Sequence, residues 1–133
     1  MLQRAGDKDG ALDNYQIFLA AAKENEAPPD TYAEVLVNIG TIYAMRSDPV
    51  RAKQHFEEAL QYRDIGSARV NLAVLLLQQV SAAAKSGALQ RQEELVKEAM
   101  MHCQRTVALQ DDPNAVASAN RLLADIKKNT RSV

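Results

Sequence analysis

A chain of 133 residues that is 47% hydrophobic, 25% charged and 5% aromatic has the size of one compact domain. Its 16 basic and 17 acidic residues leave a formal net charge of -1, which gives no footprint for nucleic acid, and a single cysteine, Cys103, excludes an internal disulfide framework. No apolar run reaches the ~18 residues of a membrane span, and no basic segment with an apolar core opens the chain, so neither membrane nor secretion is expected.

Twenty-two alanines stand against five glycines and four prolines, a balance that favours helix. Most of the nine breakers fall between apolar-periodic stretches, and only Gly40 lies in the middle of one. From Asp9 to Ala22, Leu12, Tyr15, Phe18 and Leu19 form a helical stripe, which Pro28-Pro29 ends. Asp30 as a cap, and Thr31 with Glu34 at capping-box spacing, start a second helix running to about Arg46. Asp48-Pro49 then places a cap before a first-turn proline, and a third helix carries Ala52, Phe56, Ala59 and Leu60 to about Tyr62. Gly66-Ser67 opens a fourth helix, apolar nearly all round, that extends to Lys85. Ser86-Gly87 turns the chain into a long fifth helix, Leu89 to Gln110. Asp112-Pro113 repeats the cap-then-proline device before a last helix striped by Val116, Ala119, Leu122, Leu123 and Ile126. No segment sustains period-two alternation, so the expected class is all-α.

The chain also repeats itself. Val37-Asn38-Ile39-Gly40 recurs 33 residues later as Val70-Asn71-Leu72-Ala73. Leu36, Ile39, Gly40, Tyr43, Ala52, Phe56 and Ala59 follow with a spacing of 3, 1, 3, 9, 4 and 3. At these seven positions the chain resembles the tetratricopeptide repeat, a helix-turn-helix unit of about 34 residues. Gly6-Asp7, Ala11-Leu12 and Tyr15 resemble the turn and second helix of a preceding half repeat, and Ala108-Leu109 with Asp112-Pro113 resemble a later repeat's close. That later repeat lacks its last aromatic, Arg105 standing in the expected place. The resemblance implies a short right-handed α-solenoid: a half repeat over 7–29, a complete repeat over 30–65, an elongated one over 66–113, and a capping helix over 114–129.

The elongated repeat spans 48 residues from Gly66 to Pro113, 14 more than one unit. Shared between two helices, that is about seven residues each, close to two turns, so both buried faces stay in register. An antiparallel arm over 80–93 is expected, serving either to lengthen the hairpin's own packing or as a contact arm.

Little in the sequence carries chemistry. His102 and Cys103 sit about 100° apart on one helix, which suits neither shared metal ligation nor nucleophile activation, and Glu98 with His102 supplies only two potential ligands. His55 beside Phe56 reads as a surface or half-buried histidine. No phosphate loop and no catalytic pair stands out, so no enzyme activity, cofactor or metal is expected.

The resemblance instead implies a binding module whose concave groove is lined by the first helix of each repeat. The positions carried over are Glu34, Val37, Asn38, Thr41 and Met45, then Ser67, Val70, Asn71, Val74, Leu77 and Gln78. Asn38 and Asn71 can each donate to and accept from a peptide backbone, or else tie adjacent helices together. Relatives that clamp an acidic C-terminus need basic groups where Ser67 and Asn71 stand, so the expected partner is an apolar peptide or amphipathic helix. Three further expectations are a homodimer through Leu12, Tyr15, Phe18 and Leu19, a structural subunit of a larger assembly, and a regulatory domain of a longer enzyme. The default compartment is cytoplasmic, and the abrupt start also fits a piece of a longer protein.

Overall fold

A computed structural model describes the backbone of residues 5–131 and the side chains of residues 10–129. The described residues are helical throughout, without strands: α1 (Ala5–Glu24), α2 (Pro29–Met45), α3 (Pro49–Tyr62), α4 (Gly66–Lys85), α5 (Leu89–Leu109) and α6 (Pro113–Arg131). They form two compact units that divide at Asp64/Ile65.

In the first unit α2 packs against both α1 and α3. Leu12 of α1 is buried with Val35, Ile39 and Ile42 of α2, and Tyr15, Leu19 and Tyr43 close the edges of that core. On another side of α2, Gly40 meets the ring of Phe56 from α3, and a Cβ built on Gly40 would stand 2.7 Å from Phe56 Cε1. Gly40 is therefore the residue that lets the two helices close on a buried ring. Tyr32 adds a hydrogen bond from its hydroxyl to the Ala22 carbonyl (2.8 Å) and stacks on Tyr62 at 5.0 Å between centroids.

The second unit has α4 and α5 as its hairpin, with α6 against both. Ala73 and Leu76 of α4, Leu95, Ala99 and Cys103 of α5, and Ala115 and Ala119 of α6 share its core. Ala83, near the end of α4, belongs to the same core, with Val80 and Ala88 packed beside it. The arm's two helices are thus held by their own apolar contacts. Aligned on Ile39/Leu72 and Ala52/Ala99, α4 ends seven residues later than α2 and α5 begins seven residues earlier than α3.

Three helices end in the same way. Beyond α1, α2 and α4 the chain passes through a left-handed residue, Glu26 (φ 52°), Ser47 (φ 60°) and Gly87 (φ 75°). In each case the left-handed residue's N–H reaches back to one carbonyl and the next N–H to the carbonyl before it: Ser47 to Ala44 and Asp48 to Tyr43, for example. This paired closure satisfies carbonyls that a helix end leaves orphaned. Glycine adopts a left-handed φ without strain, and only Gly87 is glycine.

Two sequence expectations need correcting. Asp30 and Thr31–Glu34 do not cap α2: the helix begins two residues earlier, at Pro29, with Pro28 as a cap that makes no side-chain hydrogen bond. Proline suits the first helical position, so the pair that reads as a breaker is also the start. Asp30 lies instead 3.6 Å from Arg63. Gly6-Asp7, read as a turn, lies within the backbone of α1; the surroundings of those two side chains, and all of residues 1–4, lie outside the described residues. The other caps form as expected. Asp48 accepts from the Arg51 N–H at 3.1 Å, and Asp112 accepts from Asn114 N–H at 2.9 Å.

Candidate interaction faces

Each unit's hairpin leaves one side of its first helix open. On α2, residues facing α1 and α3 are consumed by packing, and what remains includes Glu34, Asn38, Thr41 and Met45, at spacings of 4, 3 and 4. Glu34, Asn38 and Met45 are exposed and Thr41 is half-buried, its hydroxyl donating to the Val37 carbonyl at 2.9 Å. On α4 the residues 33 positions further on, Ser67, Asn71, Val74 and Gln78, repeat the stripe. Ser67 and Asn71 are half-buried there, and Val74 and Gln78 exposed.

The remaining groove candidates lie elsewhere. Val37 and Val70 are buried at 7% and 8% exposure, so little of either is open to a ligand. Leu77 packs against the core of the second unit. A single helix's periodicity could not have shown this, because α2 is covered from more than one side. Neither Asn38 nor Asn71 makes a side-chain hydrogen bond to another described residue.

The N-terminal face is smaller than the sequence suggests. Leu12, Tyr15 and Leu19 turn toward α2, whereas Phe18 is half-exposed beside the exposed Ile17, a residue that stripe counting passed over. At the arm's tip, Leu89 is exposed.

In α5 the buried stripe runs through Leu95, Ala99, Cys103 and Thr106, while Arg105 is exposed. Cys103, not Arg105, thus takes the interior place that Phe56 holds in the first hairpin; the inserted arm obscured the register. Burial pushes the Cys103 thiol up to about 11, away from the thiolate form that nucleophiles and metal ligands need. His102 is buried, with Nδ1 3.2 Å from Arg69 Nη1 and Nε2 3.8 Å from Glu98 Oε2. Because arginine only donates, Nδ1 must accept, which places the ring proton on Nε2. His55 Nδ1 faces the Arg51 carbonyl at 2.8 Å and its ring lies against Tyr43. Among the described residues no three His, Cys, Asp or Glu side chains gather in a way that could hold a metal, and no helix is long and apolar enough to cross a membrane.

No family model and no curated protein matches the chain.

Proposed function

We propose that this protein is a non-enzymatic interaction module of the tetratricopeptide type, holding a peptide or helix on the open sides of α2 and α4. The observation that carries the reading is the recurrence of an unconsumed stripe at an interval of 33 residues: Glu34, Asn38, Thr41 and Met45 on α2, then Ser67, Asn71, Val74 and Gln78 on α4. A helix that only filled a core would have no reason to repeat an uncommitted amide at the same place.

Six of the seven signature positions support the type, and Tyr43 is half-buried at the edge of the first unit's core. Leu36, Ile39, Ala52, Phe56 and Ala59 are each at most 1% exposed, and Gly40 receives the Phe56 ring. The chemistry of the stripes suits a partner that offers backbone amides to Asn38 and Asn71 and apolar groups to Met45 and Val74. Capture of binding partners by the full chain, compared with the Asn38→Ala/Asn71→Ala variant, tests the proposal. Partners lost in the double variant, with its helical signal intact, support it. Partners that survive this change but disappear when residues 80–93 are removed would move the function to the arm.

A further inference from the structure

Charge is unevenly divided along the chain. Residues 1–64 hold 7 basic and 11 acidic residues, a balance of -4, and residues 65–133 hold 9 basic and 6 acidic residues, a balance of +3. The first and last helices carry that contrast on the sides they do not use for packing. On α1, Leu12, Tyr15 and Leu19 turn toward α2, which leaves Asp13, Ile17, Ala20 and Glu24 on the opposite side, all exposed. Ile17 is 68% exposed, more than any other large apolar side chain among the described residues. On α6, Ala115, Ala119 and Ile126 are buried, which leaves Ala117, Arg121 and Ala124 outward, again all exposed, with Lys127 at their edge. Asp125 is the one acidic residue of that helix. Asp13, Glu24, Arg121 and Lys127 make no ion pair with another described residue, whereas Lys128, beside them on α6, is already engaged.

We propose that this chain associates head to tail with further copies of itself, the outward side of α1 in one copy lying along the outward side of α6 in the next. Asp13, Ile17, Ala20 and Glu24 follow at intervals of 4, 3 and 4, and Ala117, Arg121 and Ala124 at intervals of 4 and 3, so each row keeps to one side of its helix. An acidic row with an isoleucine standing out of it thus meets a basic row whose alanines let a helix come close, and Ile17 leaves water. A second copy is the occupant because every chain that brings the acidic face brings the basic one in equal number. Pairing two α1 helices, the homodimer expected from the sequence, is opposed by the same charges. In either direction it sets Asp13 and Glu24 of one chain against Asp13 and Glu24 of the other. The contact joins two different faces, so its repetition gives a ring or an open row of copies. One helix lying on one helix buries less than the ~1,200 Å² of a standard interface, so the association is weak and shows at high concentration.

Analytical ultracentrifugation of the full chain and of two surface variants tests the contact. The mean mass rises as the chain is concentrated towards about 1 mM, where weak association becomes visible. The association constant falls by about tenfold between about 0.01 M and about 1 M salt, as two exposed ion pairs are screened. Ile17→Asp spoils the α1 face alone, and Arg121→Glu/Ala124→Glu spoils the α6 face alone; both change only exposed residues, and circular dichroism checks that their helices are intact. Each variant by itself is monomeric, because every contact needs one sound face of each kind. Mixed in equal amounts, the two form a one-to-one complex that grows no further, through the sound α6 of one and the sound α1 of the other. A native chain that stays monomeric at about 1 mM, an Arg121→Glu/Ala124→Glu variant that still dimerises, a mixture that stays monomeric, or association indifferent to salt overturns the proposal. No peptide or other partner enters these measurements, so the head-to-tail contact and the interaction module can fail separately.

Discussion

Replacing Gly40 by alanine should have a sign that depends on residue 56. A methyl at position 40 would lie 2.7, 2.9 and 3.1 Å from Phe56 Cε1, Cδ1 and Cζ, against the 3.5–4.0 Å (roughly) at which carbons rest comfortably. The ring cannot swing away, since Phe56 is 1% exposed. Such overpacking typically costs about 1–3 kcal/mol, whereas alanine in a helix interior is favoured over glycine by about 1 kcal/mol. Gly40→Ala should therefore destabilise the native chain by up to about 2 kcal/mol. In a Phe56→Leu background the same change should stabilise by up to about 1 kcal/mol, a coupling of about 1–3 kcal/mol across the pair. Urea unfolding of the four proteins measures it. All four tyrosines lie at or before Tyr62 and the chain has no tryptophan, so tyrosine emission reports on the first unit alone. If alanine stabilises both backgrounds equally, the helices do not approach closely at Gly40 and the packing argument is wrong.

Other substitutions test single features. Ser47→Gly should stabilise by about 0.5–1 kcal/mol by relieving a left-handed backbone, and Gly87→Ala should cost about as much, since nothing lies within 4 Å to add a steric term; thermal melts of the two variants should move in opposite directions. Asp48→Ala and Asp112→Ala should each lose about 1 kcal/mol as helix caps, whereas Thr31→Ala should change the urea midpoint little, because no capping box forms at α2. The Cys103 thiol should resist a thiol reagent until the second unit unfolds. Its pKa is raised by burial from 9.0 to about 11, so the unfolded chain ionises first. The stability it contributes is whole below pH 9 and drains as pH rises towards 11, a loss that Cys103→Ala should abolish in a comparison of unfolding midpoints.

Much of the fold was legible because the breakers sit beside chemistry that explains them. Asp48-Pro49 and Asp112-Pro113 each place an acceptor before a proline, and the helices start there. Gly66 and Lys85 bound α4 as read, because the apolar stretch between them has no competing stop. The failures have equally definite causes. Pro28-Pro29 serves as both stop and start, and only backbone geometry separates these roles. Val37 and Val70 belong to the interior because α2 and α4 are covered on several sides, which a projection of one helix does not reveal. The role of Asp111, which accepts from the Gly66 N–H at 3.1 Å, was invisible, since a cap supplied from 45 residues away has no local signature.

The second hairpin meets the packing problem of the first with different parts. Ala73 and Cys103 stand where Gly40 and Phe56 stand, so a methyl has been gained on one helix and an aromatic ring given up on the other. The lost volume is not left empty, because Ala115 and Ala119 of α6 enter the same core. α6 is thus a wall of this unit rather than an appendage to it. Shortening the chain before Pro113 would open the interior beside Cys103 to solvent, and the thiol's exposure would then serve as a gauge of whether α6 is seated.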